Sequence, residues 1–216
     1  MTTGRPYYLI RPHVSGEGRA TVLLLHGRGA DEFDLLPLLA GWGESFDLVS
    51  ARAPHPMRPG YAWYDLKALG EPEPESFQQG LAYLEALLEE LPRRWPSLAR
   101  PLLLIGFSQG ALMAVAAAGS LEVPHLQGVA ALSGYLPEGL TLSHPGALAG
   151  LPIFWGHGRQ DPVLPYAWGE AAKQRLEGLN ASVEFHAYQM GHAVIPEEVD
   201  HLRAWVAKLL PTAQPG

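Results

Sequence analysis

At 216 residues, 47% hydrophobic and 17% charged, the chain has the size and composition of a folded protein with a sizeable core, and one domain spanning residues 1–216 is expected. A net charge of −7, with the Lys and Arg scattered along the chain, disfavours nucleic acid and anionic lipid surfaces as partners. The lack of cysteine excludes disulfides, thiolate metal sites and a cysteine nucleophile, and no apolar run approaches the roughly 18 residues of a membrane span.

Met1 to Pro12 lacks the basic-then-apolar order of a signal peptide and runs into a strand-like Tyr7 to Ile10, so the cytoplasm is the default location. Val22 to Leu25 follows as an apolar run too short for a buried helix, and Asp34 to Trp42 has a helical pattern. Ala51 to Pro74 is irregular and carries Pro54, Pro56, Pro59, Pro72 and Pro74; Trp63 and Tyr64 inside it favour a packed loop over a disordered one. From Ser76 to Trp95 the spacing predicts a helix. Ser76 and Gln79 fit a capping box there, and Phe77, Leu81, Leu84, Leu88 and Leu91 form one apolar stripe, which reads as core.

Leu102 to Ile105, Val129 to Leu132 and Ile153 to Trp155 are further short apolar runs, and Val183 to Tyr188 alternates as a strand. Helices are expected at Gln109 to Gly119, Tyr166 to Leu179 and Pro196 to Leu210, the last with Pro196 at its first position. Strands alternating with helices imply an α/β fold with a mostly parallel sheet covered on both faces. Such sheets carry ligands at the carboxyl ends of their strands.

Gly106-Phe107-Ser108-Gln109-Gly110 falls between a predicted strand and a predicted helix. That is the context of a nucleophile elbow, where a strained serine needs neighbours without Cβ atoms. The five-residue pattern alone is weak; its placement strengthens it. A serine hydroxyl needs a histidine base, itself oriented by a carboxylate, and in this arrangement the chain order is Ser, then Asp or Glu, then His. Asp161 is the one aspartate between Ser108 and the C-terminal histidines, and it follows a strand; Glu170 and Glu177 fall in a helix and Glu184 opens a strand. His186 alternates within a strand and His201 lies in the last helix, whereas His192 occupies a strand-end loop.

Two backbone N–H groups are needed to hold a tetrahedral oxyanion, one after the nucleophile and one after an early strand. Gln109 and Arg28, within His26-Gly27-Arg28-Gly29, are the candidates. His26 has no second ligand at metal spacing beside it, so no metal is expected, and no cofactor is implied.

Leu25 to Gly29, Trp63-Tyr64-Asp65, Gly106 to Gly110, Gly156-His157-Gly158 through Asp161-Pro162-Val163-Leu164-Pro165, and Met190-Gly191-His192 occur in order along nearly the whole chain. With them the sequence resembles the carboxylesterase/phospholipase family of α/β-hydrolases, which includes acyl-protein thioesterases. The resemblance implies an α/β-hydrolase sheet of about seven strands without a large cap domain. It also implies action on carboxylic esters, lysophospholipids or acyl thioesters, with Ser108 as nucleophile, Asp161 as acid, His192 as base, and Arg28 and Gln109 as oxyanion donors. Ala111 stands where many relatives have a further glycine. Arg28 replaces the leucine of eukaryotic thioesterases, and a charged residue there fits short or polar substrates better than a lipidated protein tail.

Met57 and Trp63 in the Pro-rich loop are expected to wall the acyl group, with Val163 and Met190 completing the substrate-binding set. The expected partner is a small ester or thioester, the expected state a monomer or homodimer. The competing functions are a small-molecule-binding protein that keeps the hydrolase fold without turnover, and a peptidase or acyltransferase on the same scaffold. The complete Ser, Asp and His set argues against the first, and a length that leaves no room for a peptide-filtering domain argues against a peptidase.

Overall fold

The computed structural model describes residues 5–13, 20–42, 46–98 and 101–210; the first four residues of the N-terminal stretch considered above lie outside them. The strands are β1 (Tyr8–Arg11), β2 (Ala20–Leu25), β3 (Phe46–Ala51), β4 (His55–Pro56), β5 (Tyr61–Ala62), β6 (Leu66–Ala68), β7 (Glu71–Pro72), β8 (Leu102–Phe107), β9 (Leu126–Leu132), β10 (Pro152–Gly158) and β11 (Ser182–Tyr188). The helices are α1 (Pro74–Arg94), α2 (Gln109–Ser120), α3 (Tyr166–Gly178) and α4 (Pro196–Leu209).

Seven strands form one sheet in the order β1-β3-β2-β8-β9-β10-β11, parallel except for the antiparallel edge pair β1 and β3. The central strands are apolar on both faces because helices cover both. One face packs α1, α2 and α3 around Leu23, Leu84, Leu104, Leu112 and Trp155. The other packs α4 and the Pro37–Trp42 segment around Leu24, Leu48, Ile105, Phe154 and Trp205. Alternation along β10 shows the division: Ile153 and Trp155 enter the first core and Phe154 the second.

The stripe predicted on α1 is buried in full, from Phe77 to Leu91. Its cap differs from the expected Ser76/Gln79 box. Glu73 is the N-cap, its carboxylate accepting the N–H groups of Glu75 at 3.1 Å and Ser76 at 2.7 Å, because Pro74 has no N–H and its fixed φ suits the first helical position. Ser76 Oγ instead accepts the Asp65 N–H at 3.0 Å, tying the preceding loop to the helix.

The helix expected over Asp34 to Trp42 is a 3-10 segment from Pro37, with Leu39 off helical geometry at φ −107°, ψ 23°. Strand β3 is not among the strands expected from the sequence. The Pro-rich stretch folds into the β4/β5 and β6/β7 hairpins, and Trp63 and Tyr64 are fully buried, as a packed loop requires. No helix among the described residues is long and apolar enough to cross a membrane.

Candidate active site

Ser108 stands between β8 and α2 at φ 55°, ψ −115°, a conformation side-chain-bearing residues seldom adopt. The sheet and helix must approach closely to hold it there. A Cβ on Gly106 would lie 2.1 Å from the Gly110 carbonyl oxygen, and one on Gly110 would lie 2.0 Å from that of Leu25. Ser108 is fixed further by donating its N–H to the Leu132 carbonyl at 2.9 Å.

His192, in the loop after β11, places Nε2 2.9 Å from Ser108 Oγ and Nδ1 2.7 Å from Asp161 Oδ2. A carboxylate can only accept, so Nδ1 carries the proton and Nε2 is left to accept from the serine hydroxyl. Asp161, in the loop after β10, has its second oxygen filled by the N–H groups of Val163 and Leu164, both at 2.8 Å. Three hydrogen bonds thus fix the carboxylate in place, and the buried His157 ring lies 3.8 Å from Oδ2. His157 Nε2 donates to the Leu164 carbonyl at 2.9 Å, and burial holds its pKa below the ordinary histidine value, so the ring stays neutral. The Phe107 ring packs on His192 with centroids 4.9 Å apart.

Across the crevice, the chain after β2 passes close enough that a Cβ on Gly27 would lie 3.5 Å from Ser108 Cβ. The loop is pinned by Gly29 N–H to the Tyr61 carbonyl at 2.8 Å and Tyr61 N–H to that of Ala30 at 2.9 Å. His26 is engaged at both ring nitrogens: Nδ1 donates to the Gly27 carbonyl at 2.7 Å and Nε2 accepts the Ala53 N–H at 3.0 Å. It is therefore a buried neutral brace, with no nitrogen left for a metal. Among the described residues, neither Arg28 N–H nor Gln109 N–H donates to a backbone oxygen, so both remain able to receive a ligand atom. The Gln109 side chain acts elsewhere. Its Oε1 accepts the Trp63 N–H at 3.0 Å and its Nε2 donates to the Tyr64 carbonyl at 2.8 Å, clamping the Pro-rich loop to the elbow.

The residues expected to bind substrate divide. Met57 is partly exposed and Val163 is 42% exposed. Trp63 is fully buried, its indole N–H donating to the His26 carbonyl at 2.8 Å, and Met190 is 6% exposed. Trp63 packs in the core on the α1 face of the sheet. A cavity of about 710 Å³ lies elsewhere, between the β6/β7 hairpin, the chain after β9 and α3, with Leu69, Phe77, Tyr135, Leu136 and Trp168 among its lining residues. Sequence reasoning missed it, although Tyr135 and Leu136 follow a strand end, which is where ligands bind in such sheets.

The phospholipase/carboxylesterase family model matches residues 13–210, and the chain belongs to that family. Similar proteins include acyl-protein thioesterase 1 of Gibberella zeae, 29% identical over 98% of this chain and 99% of the relative, and a Dictyostelium discoideum homologue of that enzyme, 27% identical over 89% and 91%. Among solved structures, a Bacillus cereus carboxylesterase superposes with a TM-score of 0.83 at 25% identity, covering 96% of each chain. Esterase PE8 gives 0.81 at 28%, covering 95% of this chain and all of the other. The protein is accordingly an α/β-hydrolase of the serine type, a hydrolase of ester or thioester bonds.

Proposed function

We propose that the protein cleaves small carboxylic esters or thioesters through an acyl-enzyme intermediate, with Ser108 as nucleophile, His192 as general base and then general acid, and Asp161 as the group that orients and stabilises the imidazole. The observation that carries this is the unbroken hydrogen-bond chain from Ser108 Oγ through His192 to Asp161. His192 Nε2 takes the hydroxyl proton as Oγ attacks the carbonyl carbon, and the resulting imidazolium is stabilised by the fixed Asp161 carboxylate. The oxyanion is received by the Arg28 and Gln109 N–H groups, the second also at the positive end of α2. Collapse of the tetrahedral adduct returns the proton to the departing alcohol or thiol. Water activated by His192 then releases the acid and restores Ser108.

One chain supplies all these groups, so a monomer suffices for chemistry.

The test is hydrolysis of a short-chain p-nitrophenyl ester near pH 8 by the wild type and by Ser108→Ala, with intact-mass analysis after a fluorophosphonate. The expected result is turnover that falls on the order of 10⁶-fold in the variant and a single adduct on the wild type that the variant does not form. Turnover by Ser108→Ala at the wild-type rate would overturn the assignment.

A further inference from the structure

The side chain next to the proposed oxyanion site carries a full positive charge that the rest of the fold does not use. Arg28 is flanked by Gly27 and Gly29, so the guanidinium is the one side chain this turn presents. It is exposed, and among the described residues it has no ion-pair partner, whereas Arg5, Arg52, Arg93, Arg94 and Arg203 each have one. Asp31 on the same loop is turned to the Phe33 N–H at 2.9 Å instead.

The charge also reaches inward. It acts on the buried Tyr64 hydroxyl, opposing the rise in pKa that burial causes there. Tyr64 and Tyr135 meet hydroxyl to hydroxyl at 3.0 Å. Two hydroxyls bring two protons and this contact uses one, so the pair retains an O–H with no acceptor among the described residues. Tyr135 lines the large cavity. The turn beside Ser108 therefore presents a cation with no ion-pair partner among the described residues, and a tyrosine pair with one unspent O–H lies at the cavity. Both are complementary to an anionic oxygen, in a chain whose overall charge of −7 would otherwise repel one.

We propose that Arg28 determines specificity for esters bearing an anionic oxygen group, a carboxylate or phosphate, a few bonds from the scissile carbonyl. The inference rests on the ester-hydrolase reading above and names the substrate class of that site. The group can sit on the acyl side, as in a hemiester of a dicarboxylic acid, or on the alcohol side, as in an ester of a hydroxyalkyl phosphate.

The experiment measures kcat/KM by pH-stat for two charged and neutral pairs: monomethyl glutarate against methyl hexanoate, and the acetyl ester of ethylene glycol phosphate against ethylene glycol acetate. Wild type, Arg28→Met and Arg28→Lys are compared at low and high salt. The charged-to-neutral ratio is expected to fall about fivefold to tenfold in Arg28→Met for at least one pair, the range spanned by exposed ion pairs and charge-assisted hydrogen bonds. Arg28→Lys recovers part of it, and raising salt lowers the wild-type ratio. The pair that responds identifies the side carrying the anion. Ratios unchanged in Arg28→Met for both pairs, with the neutral esters still cleaved, would overturn this proposal and leave the hydrolase reading standing. No turnover of any of the four esters by the wild type would overturn both.

Discussion

The carboxyl of Glu198 occupies the space that a side chain at position 156 would need: a Cβ on Gly156 would come within 1.9 Å of Oε1. Glu198 is fully buried near the start of α4, against β10. Burial pushes its pKa up to about 8.

Because the folded-state pKa lies above the unfolded value, the unfolded chain releases this proton first. The stabilising contribution is full below about pH 4.5 and declines as pH rises towards about 8. Glu198→Gln keeps the shape and removes the titration. The wild type should therefore lose Tm relative to Glu198→Gln between pH 5 and pH 8, by about 2–4 °C per kcal/mol in a chain of this size. His26 and His157, buried and neutral, bias stability the opposite way, and comparing the two proteins cancels them. Parallel Tm curves across that range would refute the assignment.

Asp161→Asn tests orientation separately from folding. The remaining oxygen can still accept the Val163 and Leu164 N–H groups, which leaves an NH2 facing His192 Nδ1. Nδ1 must then accept, the ring proton moves to Nε2, and the serine loses its base. The expected loss in kcat is about 10⁴-fold with little change in Tm. An active Asp161→Asn would show that the tautomer is set by something else.

Gly110→Ala tests the close approach of α2 to the sheet. A methyl 2.0 Å from the Leu25 carbonyl oxygen forces the helix off β2 and displaces the Ser108 turn. Destabilisation of about 3 kcal/mol or more and loss of ester turnover are expected. Gly146→Ala is the control, since a Cβ there meets nothing within 4 Å, and its stability should stay within about 0.5 kcal/mol of wild type. Equal denaturation midpoints for the two variants would contradict this.

Short apolar runs gave away β2, β8, β9 and β10, because the centres of strands buried on both faces are continuously apolar, and their polar residues Thr21, Gln127 and His157 fall near the ends. Strand β3 hid because Asp47 and Ser50 interrupt it, though both are buried. Asp47 is tolerated there because it accepts the His13 N–H at 3.0 Å, a partner 34 residues away that no local pattern reveals. The helix cap was misplaced by three residues, because Pro74, with no N–H and a φ suited to the first helical position, lets the helix start before Ser76 and leaves Glu73 as its cap.

Ser108, Asp161 and His192 could all be named because each follows a strand end, where backbone geometry leaves short signatures. The cavity could not. Leu69, Tyr135 and Trp168 come from a hairpin, a loop and a helix, and only packing brings them together.

The three hydrogen-bonded side chains follow β8, β10 and β11, so the contacts joining them span 84 residues from Ser108 to His192 and 31 from Asp161 to His192. Neither α2 with β8 nor the C-terminal third can form the constellation alone. Loop-closure entropy must be overcome three strands deep before Ser108 meets His192. During refolding, helix content and collapse should return before any ester is cleaved, which makes activity a clock for the last strand to join the sheet.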